Sequence, residues 1–245
     1  MAQAARLCEP HTDEIYNKYL IIGGKMTAQE KLAEERDGQK NARMERIFLA
    51  AFSLFSHNGF DAIAMTDIAK DAEIGVASLY RYFATKDEIA IRTAMWAWEN
   101  QKKMILPILD DSGYYNKTGL DQLSEIFELF CKLYQTVPDF FRYIYFFDAY
   151  IVCQKIDPER LLPYQEVIET VQTIIGNAIH KGIEDGSISS EYKGNEKQLY
   201  YSLMHTFFSA SQKLSLSAKM LKMDEMNNDV QQLKLLSKVL IGGLK

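Results

Sequence analysis

Two sets of side chains in this sequence have the types and spacing to do chemistry. The first is Val76, Ala77 and Ser78, followed by Tyr80, Tyr82 and Lys86. Small residues at a helix start let its backbone sink into the major groove of DNA. There Val76 and Ala77 could meet thymine methyl groups, and Ser78 can donate to or accept from a base edge. Tyrosine hydroxyls and a lysine ammonium further on suit phosphate oxygens, which fix register without reading sequence. The second set is an aromatic crowd between Phe127 and Tyr150, with Arg142, Asp148 and His205 as polar groups among apolar neighbours. Apolar surface with a few polar anchors is the make-up of a small-molecule pocket. Phe127, Phe130, Tyr145, Asp148 and His205 are its candidate lining, for a flat or hydrophobic ligand. The competing expectation is a solid core, because aromatics at helical spacing are usually buried.

Catalysis is not expected. Asp148 with His205 or His180 could be drawn as an acid–base pair, but no nucleophile motif, metal-ligand spacing or glycine-rich phosphate loop accompanies them. No catalytic residue, metal or cofactor is therefore assigned, and His57 is expected to be structural. Three cysteines, Cys8, Cys131 and Cys153, have no CxxC spacing and support neither a disulfide scaffold nor a zinc site.

The elements that must position these groups are helical. The chain has 245 residues, is 47% hydrophobic, and contains only five prolines and 13 glycines. Almost no stretch alternates apolar and polar residues with period two, so the fold class is all-α. Ile47, Ala50, Ala51, Leu54 and Phe55 form one stripe of an amphipathic helix over 39–58, closed by Asn58-Gly59. Met65, Ile68, Ala69 and Ala72 repeat the spacing over a second helix. After a turn at Glu73 to Gly75, Ile74, Leu79 and Phe83 face inward from a third. Thr85 is placed to cap the next helix, with Asp87 and Glu88 at the positive end of its dipole. Formal net charge is −5, yet residues 38–92 carry seven basic and seven acidic side chains. A neutral head predicts weak non-specific DNA binding and dependence on a pair of heads.

These residues resemble the tetracycline-repressor (TetR-type) family of transcriptional regulators. The resemblance rests on Ala50 to Phe60 (AAFSLFSHNGF), Asp67-Ile68-Ala69 (DIA), Leu79 to Phe83 (LYRYF) and Lys86. It covers residues 40–92. It implies base or backbone contacts to DNA from Thr66, Val76, Ala77, Ser78, Tyr80, Tyr82 and Lys86. Two positions depart from the family pattern. Ala64 stands where a threonine usually caps the second helix, and Glu73 where a turn glycine is common, which predicts a turn of altered geometry.

The resulting division is an N-terminal extension over 1–38, a three-helix helix-turn-helix DNA-binding domain over 39–86, and a helical ligand-binding and dimerisation domain over 87–245. Residues 1–25 show no pattern. Thr27 and Glu30 have capping-box spacing for a short helix over 28–37 that Gly38 is expected to break. Further helices are expected over 86–106, ended by Pro107, and over 120–135, 138–154, 158–182, 196–221 and 226–240, with a loop over 110–119 and a turn-rich break over 182–190. Val167, Val171, Ile174, Ile175 and Ala178 form one apolar stripe, and Leu203, Phe207, Ala210 and Leu214 another. The resemblance implies that these helices pair two copies in a four-helix bundle; packing inside one copy is the alternative.

The expected function is a homodimeric, cytoplasmic repressor without a membrane span. It would be released from a palindromic operator in double-stranded DNA by a small-molecule effector, hydrophobic or aromatic. The alternative is a DNA-anchored regulator whose body senses a protein partner.

Overall fold

The computed structural model describes residues 27–111, 113–217 and 229–245, without the side chains of Ala28, Glu30 and Asp111. The appendage expected over 1–25 and the Glu30 half of the capping box lie outside the described residues, as do the end of the helix expected over 196–221 and the start of that over 226–240. Two units divide the chain, 1–45 and 46–245. The described part of the first is helical from Ala28 and mostly exposed.

Among the described residues the fold is all α, with nine α-helices, three short 3-10 turns and no strand. Helix α1 spans Ala28–Asn58, running through Gly38. An interior glycine costs a helix about 1 kcal/mol against alanine, too little to stop one flanked by Glu34, Glu35, Arg36, Gln39 and Lys40. Helices α2 (Met65–Asp71) and α3 (Val76–Tyr82) have seven residues each, too few to stand without tertiary packing. Their support is the small core of Ile47, Ala51, Phe55, Ile68, Ala69, Leu79 and Phe83, all fully buried.

Helix α4 spans Lys86–Asp111 and passes through Pro107, where the sequence pointed to an end. A proline costs an interior helix a hydrogen bond and a clash one turn back. Here a single turn follows it, and that turn buries Leu109. The start of α4 is capped as expected, with the Glu88 N–H donating to Thr85 Oγ1 at 3.2 Å and the Ala84 N–H to Glu88 Oε2 at 2.9 Å. Helices α5 (Gly119–Thr136) and α6 (Pro138–Cys153) follow, the latter with proline in its first turn. The expected Pro158 start divides into a 3-10 turn, Pro158–Leu161, and helix α7, Leu162–Asp185. Helices α8 (Glu196–Ser217) and α9 (Asp229–Gly242) complete the body.

Gly182, expected to open a break, lies inside α7 because the crossing with α5 requires it. A Cβ built on Gly119 would overlap the Gly182 backbone and the Ala178 carbonyl. The contact is fastened by the Gly119 N–H donating to Asp185 Oδ2 at 2.9 Å and the Leu120 N–H to Ser187 Oγ at 3.1 Å. Burial works to raise the Asp185 pKa, but its hydrogen bonds with Ser187 and Gly119 and the charge of Lys181 hold it below the usual value.

Of the two stripes expected to pair copies, Leu203 and Phe207 are buried within the single chain, with Phe207 edge-on to Phe127 at 5.0 Å. They are core residues and are not free to face a second copy. Ile175 and Ala178 are buried as well.

Candidate functional site

The outward face of α3 comes from the way the helix is held. Glu73 takes the left-handed conformation, φ +54°, which costs a non-glycine residue about 1–2 kcal/mol. It thereby closes the turn in the backbone region that glycine enters freely. The Ile74 N–H then reaches Ala69 O at 2.9 Å, and Leu79 and Phe83 point inward. No side chain caps the helix start at Ala64, but the other half of the box is present, the Ala64 N–H donating to Asp67 Oδ2 at 2.8 Å.

Thr66, Val76, Ala77 and Tyr80 are exposed, and Ser78 and Tyr82 half-buried. The face also holds a cation, Arg81, that the sequence places outward without giving it a DNA contact. Arg81, exposed, donates from Nη2 to Ser78 Oγ at 3.0 Å. The i, i+3 spacing of the two was the available signal. Lys86 turns inward instead: its ammonium donates to Phe60 O at 2.8 Å and Ile63 O at 3.2 Å, tying the α1–α2 turn to the start of α4.

Helix α6 meets this head along one stripe. Tyr143 donates to Ala90 O at 2.8 Å, and the Tyr150 ring stacks on Phe60 with centroids 4.7 Å apart. Tyr150 donates to Asp87 Oδ1 at 2.7 Å, while Arg160 Nη1 reaches Asp87 Oδ2 at 3.0 Å. Burial works to raise the Asp87 pKa, but the hydrogen bonds from Tyr150 and Arg160 and the charges of Arg160 and Lys86 outweigh it and hold the carboxyl below its usual value. At the start of α6, Asp139 lies 3.6 Å from His57 and 2.9 Å from Arg142. Arg142 in turn donates twice to Ser215 O on α8, at 3.1 and 3.0 Å.

About 100° round the same helix, Ile144 and Asp148 face a recess of about 300 Å³ closed by α4, α7 and α8. Its walls include Trp98, Tyr164, Tyr200, His205 and Phe208. The Asp148 carboxylate is open to solvent at the mouth yet crowded by apolar groups, and this desolvation pushes its pKa up to about 6. Gln212 Nε2 donates to it at 3.3 Å. Trp98 Nε1 donates to Tyr164 Oη at 3.3 Å on the floor. Behind Trp98 and Val171 runs a narrow seam of about 20 Å³, lined by Gln101, Ile126 and Phe130 among others.

Of the five residues assigned to a pocket from sequence, Asp148 and His205 share this recess and Phe130 lines the seam. Phe127 is buried against Phe207, and Tyr145 is 41% exposed beside Phe146. The recess adds Trp98, from the helix expected over 86–106, and Tyr164, Tyr200, Phe208 and Gln212. His180, the other histidine considered for an acid–base pair, lies 3.3 Å from Glu184 on its own helix. Among the described residues no group of three or more histidines, cysteines, aspartates or glutamates could hold a metal ion, and no helix is long and apolar enough to cross a membrane.

No curated protein matches this chain in sequence. Solved structures resemble it in fold. FadR from Bacillus subtilis, a transcriptional regulator crystallised with stearoyl-CoA, superposes with a TM-score of 0.61 at 18% identity, over 82% of this chain and 100% of that one. The fatty acid degradation regulator FadR from Bacillus halodurans gives 0.62 at 16% identity, over 82% and 95%. A TetR transcription regulator from Haloarcula marismortui gives 0.60 at 16% identity, over 82% and 97%. Residues 47–93 match the model of the bacterial regulatory proteins of the tetR family. The helix-turn-helix with its outward α3 occupies those residues, so over 47–93 the chain carries a DNA-binding head of the tetR-family type.

Proposed function

We propose that this chain is a homodimeric repressor that leaves a palindromic operator when a small hydrophobic or aromatic effector enters the body. In this reading residues 39–86 bind DNA, residues 87–245 bind effector and pair the copies, and 1–38 are an extension. Val76, Ala77 and Ser78 read bases; Thr66, Tyr80 and Tyr82 contact the backbone, joined by Arg81. Lys86 acts chiefly by fixing the turn that it bonds.

The carrying observation is α6, which has Tyr143 and Tyr150 against the head and Ile144 and Asp148 in the recess. An effector that displaces α6 must alter the contacts of Tyr150 with Phe60 and Asp87. It shifts the equilibrium between DNA-bound and released forms only by its differential affinity for the two. Two heads are needed because a single neutral head makes few phosphate contacts. Half-sites about 34–36 Å apart, or a multiple, would engage both. Leu235 and Val239, one turn apart on α9 and 64% and 63% exposed, supply an apolar face for pairing. A regulator of similar fold, FadR from Bacillus subtilis, was crystallised in complex with stearoyl-CoA, which supports a ligand-responsive reading.

The test is retardation of DNA flanking the protein's own gene in a native gel at low salt. Retardation that is lost in Ser78→Ala for some sequences but not others is expected. Absence of retardation, or a protein that sediments as a monomer at the concentrations used, overturns the reading.

A further inference from the structure

The recess is selective in sign. Among the described residues, none of those lining it is a lysine or arginine, and its one ionisable acid is Asp148. The carboxylate has a single described partner, the neutral amide of Gln212. A carboxylate crowded by apolar groups without a cation is poorly compensated, and a cation placed beside it relieves that cost. Around it stand Trp98, Tyr164, Tyr200 and Phe208, whose ring faces are negative and attract a cation most strongly once water is gone. The seam behind Trp98 adds a second acceptor: Gln101 is 6% exposed and its Oε1 has no hydrogen-bond partner. The seam also holds Lys102, but its ammonium is paired with Glu99 at 2.7 Å, and the recess itself has no arginine or lysine for the phosphates of a coenzyme A thioester.

We infer that the effector of this chain is an organic cation, a quaternary or protonated amine on an aromatic or short aliphatic body, with its nitrogen held between Asp148 and the surrounding rings. The inference rests on the ligand-responsive reading above and narrows it. A recess of about 300 Å³ lies at the small end of ligand pockets, which suits a body of one or two rings.

Calorimetry with the full-length protein at pH 8 tests it, using probes matched in shape and differing in charge: 4-phenylbutyltrimethylammonium, 4-phenylbutanol and 4-phenylbutanoate, with lauroyl-CoA as a fourth. The cation should bind at least about tenfold more tightly than the alcohol, and the carboxylate and the thioester more weakly still. Asp148→Asn, nearly equal in volume, should erase the preference for the cation. Gln212→Glu, which sets a second carboxylate beside the first, should increase it. Equal affinity for cation and alcohol, a preference that survives in Asp148→Asn, or no binding by any probe overturns the inference. Tighter binding of lauroyl-CoA, with release of DNA in the gel assay, also overturns it but leaves the ligand-responsive repressor standing. A protein that binds the cation and never retards DNA does the reverse.

Discussion

Helix α6 has two working sides, and they are finished to different standards. Toward the head, both tyrosine hydroxyls of α6 have partners, Tyr143 the Ala90 carbonyl and Tyr150 an Asp87 that is also held by Arg160, although Thr93 Oγ1 beside Tyr143 has none. Toward the recess, Asp148 has only an amide at 3.3 Å, and Gln101 beyond Trp98 has an unpaired oxygen. Buried polar groups in a structural contact are usually satisfied, because leaving one without a partner costs about 1–3 kcal/mol. The contrast ties the head side of α6 to stability, and it supports the proposed placement of an effector on the recess side.

The contrast can be broken hardest at Phe60, which is 3% exposed and stacked between Phe55 and Tyr150. Phe60→Ala should cost about 3–5 kcal/mol in denaturant unfolding; under 1 kcal/mol would mean the head side is not the structural one. Next comes Lys86→Met, which removes two charge-assisted hydrogen bonds to carbonyls. A loss of about 2 kcal/mol is expected, together with weaker binding to all DNA sequences alike. Unchanged stability with DNA binding lost would return Lys86 to a phosphate contact. Tyr143→Phe should cost about 1 kcal/mol, with DNA affinity little changed.

Asp148→Asn should have the smallest effect and the opposite sign. The folded carboxyl titrates at about 6 against an ordinary 3.8, so the folded state holds a proton that the unfolded state has lost between those values. Stability therefore falls as pH rises from about 4 to about 6, and the full penalty is present above that. The variant should melt higher than the parent at pH 8, and the two should converge near pH 4. Solvent at the mouth of the recess limits the gain. Equal melting at both pH values would show that the recess side is as well satisfied as the head side.

The head was legible because its determinants are local. Ile68, Ala69, Leu79 and Phe83 follow helical spacing within one short stretch, and Thr85 and Glu88 cap α4 across three residues. Even there, the sequence could not show that Asp67 bonds the Ala64 N–H or that Lys86 folds inward, because a lysine's reach allows both directions. The recess was half legible. Asp148 and His205 stood out as polar groups in an apolar region, but Trp98 and Tyr164 are separated by 66 positions and Asp148 and Gln212 by 64. No periodicity links such pairs; helix crossings do. Phe127 and Phe207 have the same composition signal as the recess aromatics and are simply core, since what separates wall from core is an adjacent void. Gly182 misled for a related reason: a glycine needed for close helix contact is indistinguishable in sequence from one that ends a helix.

That glycine contact has a mechanical consequence. Where backbone touches backbone at Gly119 and Gly182, no side chain can repack to absorb movement, so the crossing of α5 and α7 is a pivot and not a cushion. Helix α5 has 18 residues and is about 27 Å long. A swing of about 5° about its first residue would carry its far end, where Thr136 leads through Val137 to Pro138 at the start of α6, through about 2 Å. Such a lever would turn a small movement of α7, one wall of the recess, into a displacement at the end of α6 that holds His57 through Asp139.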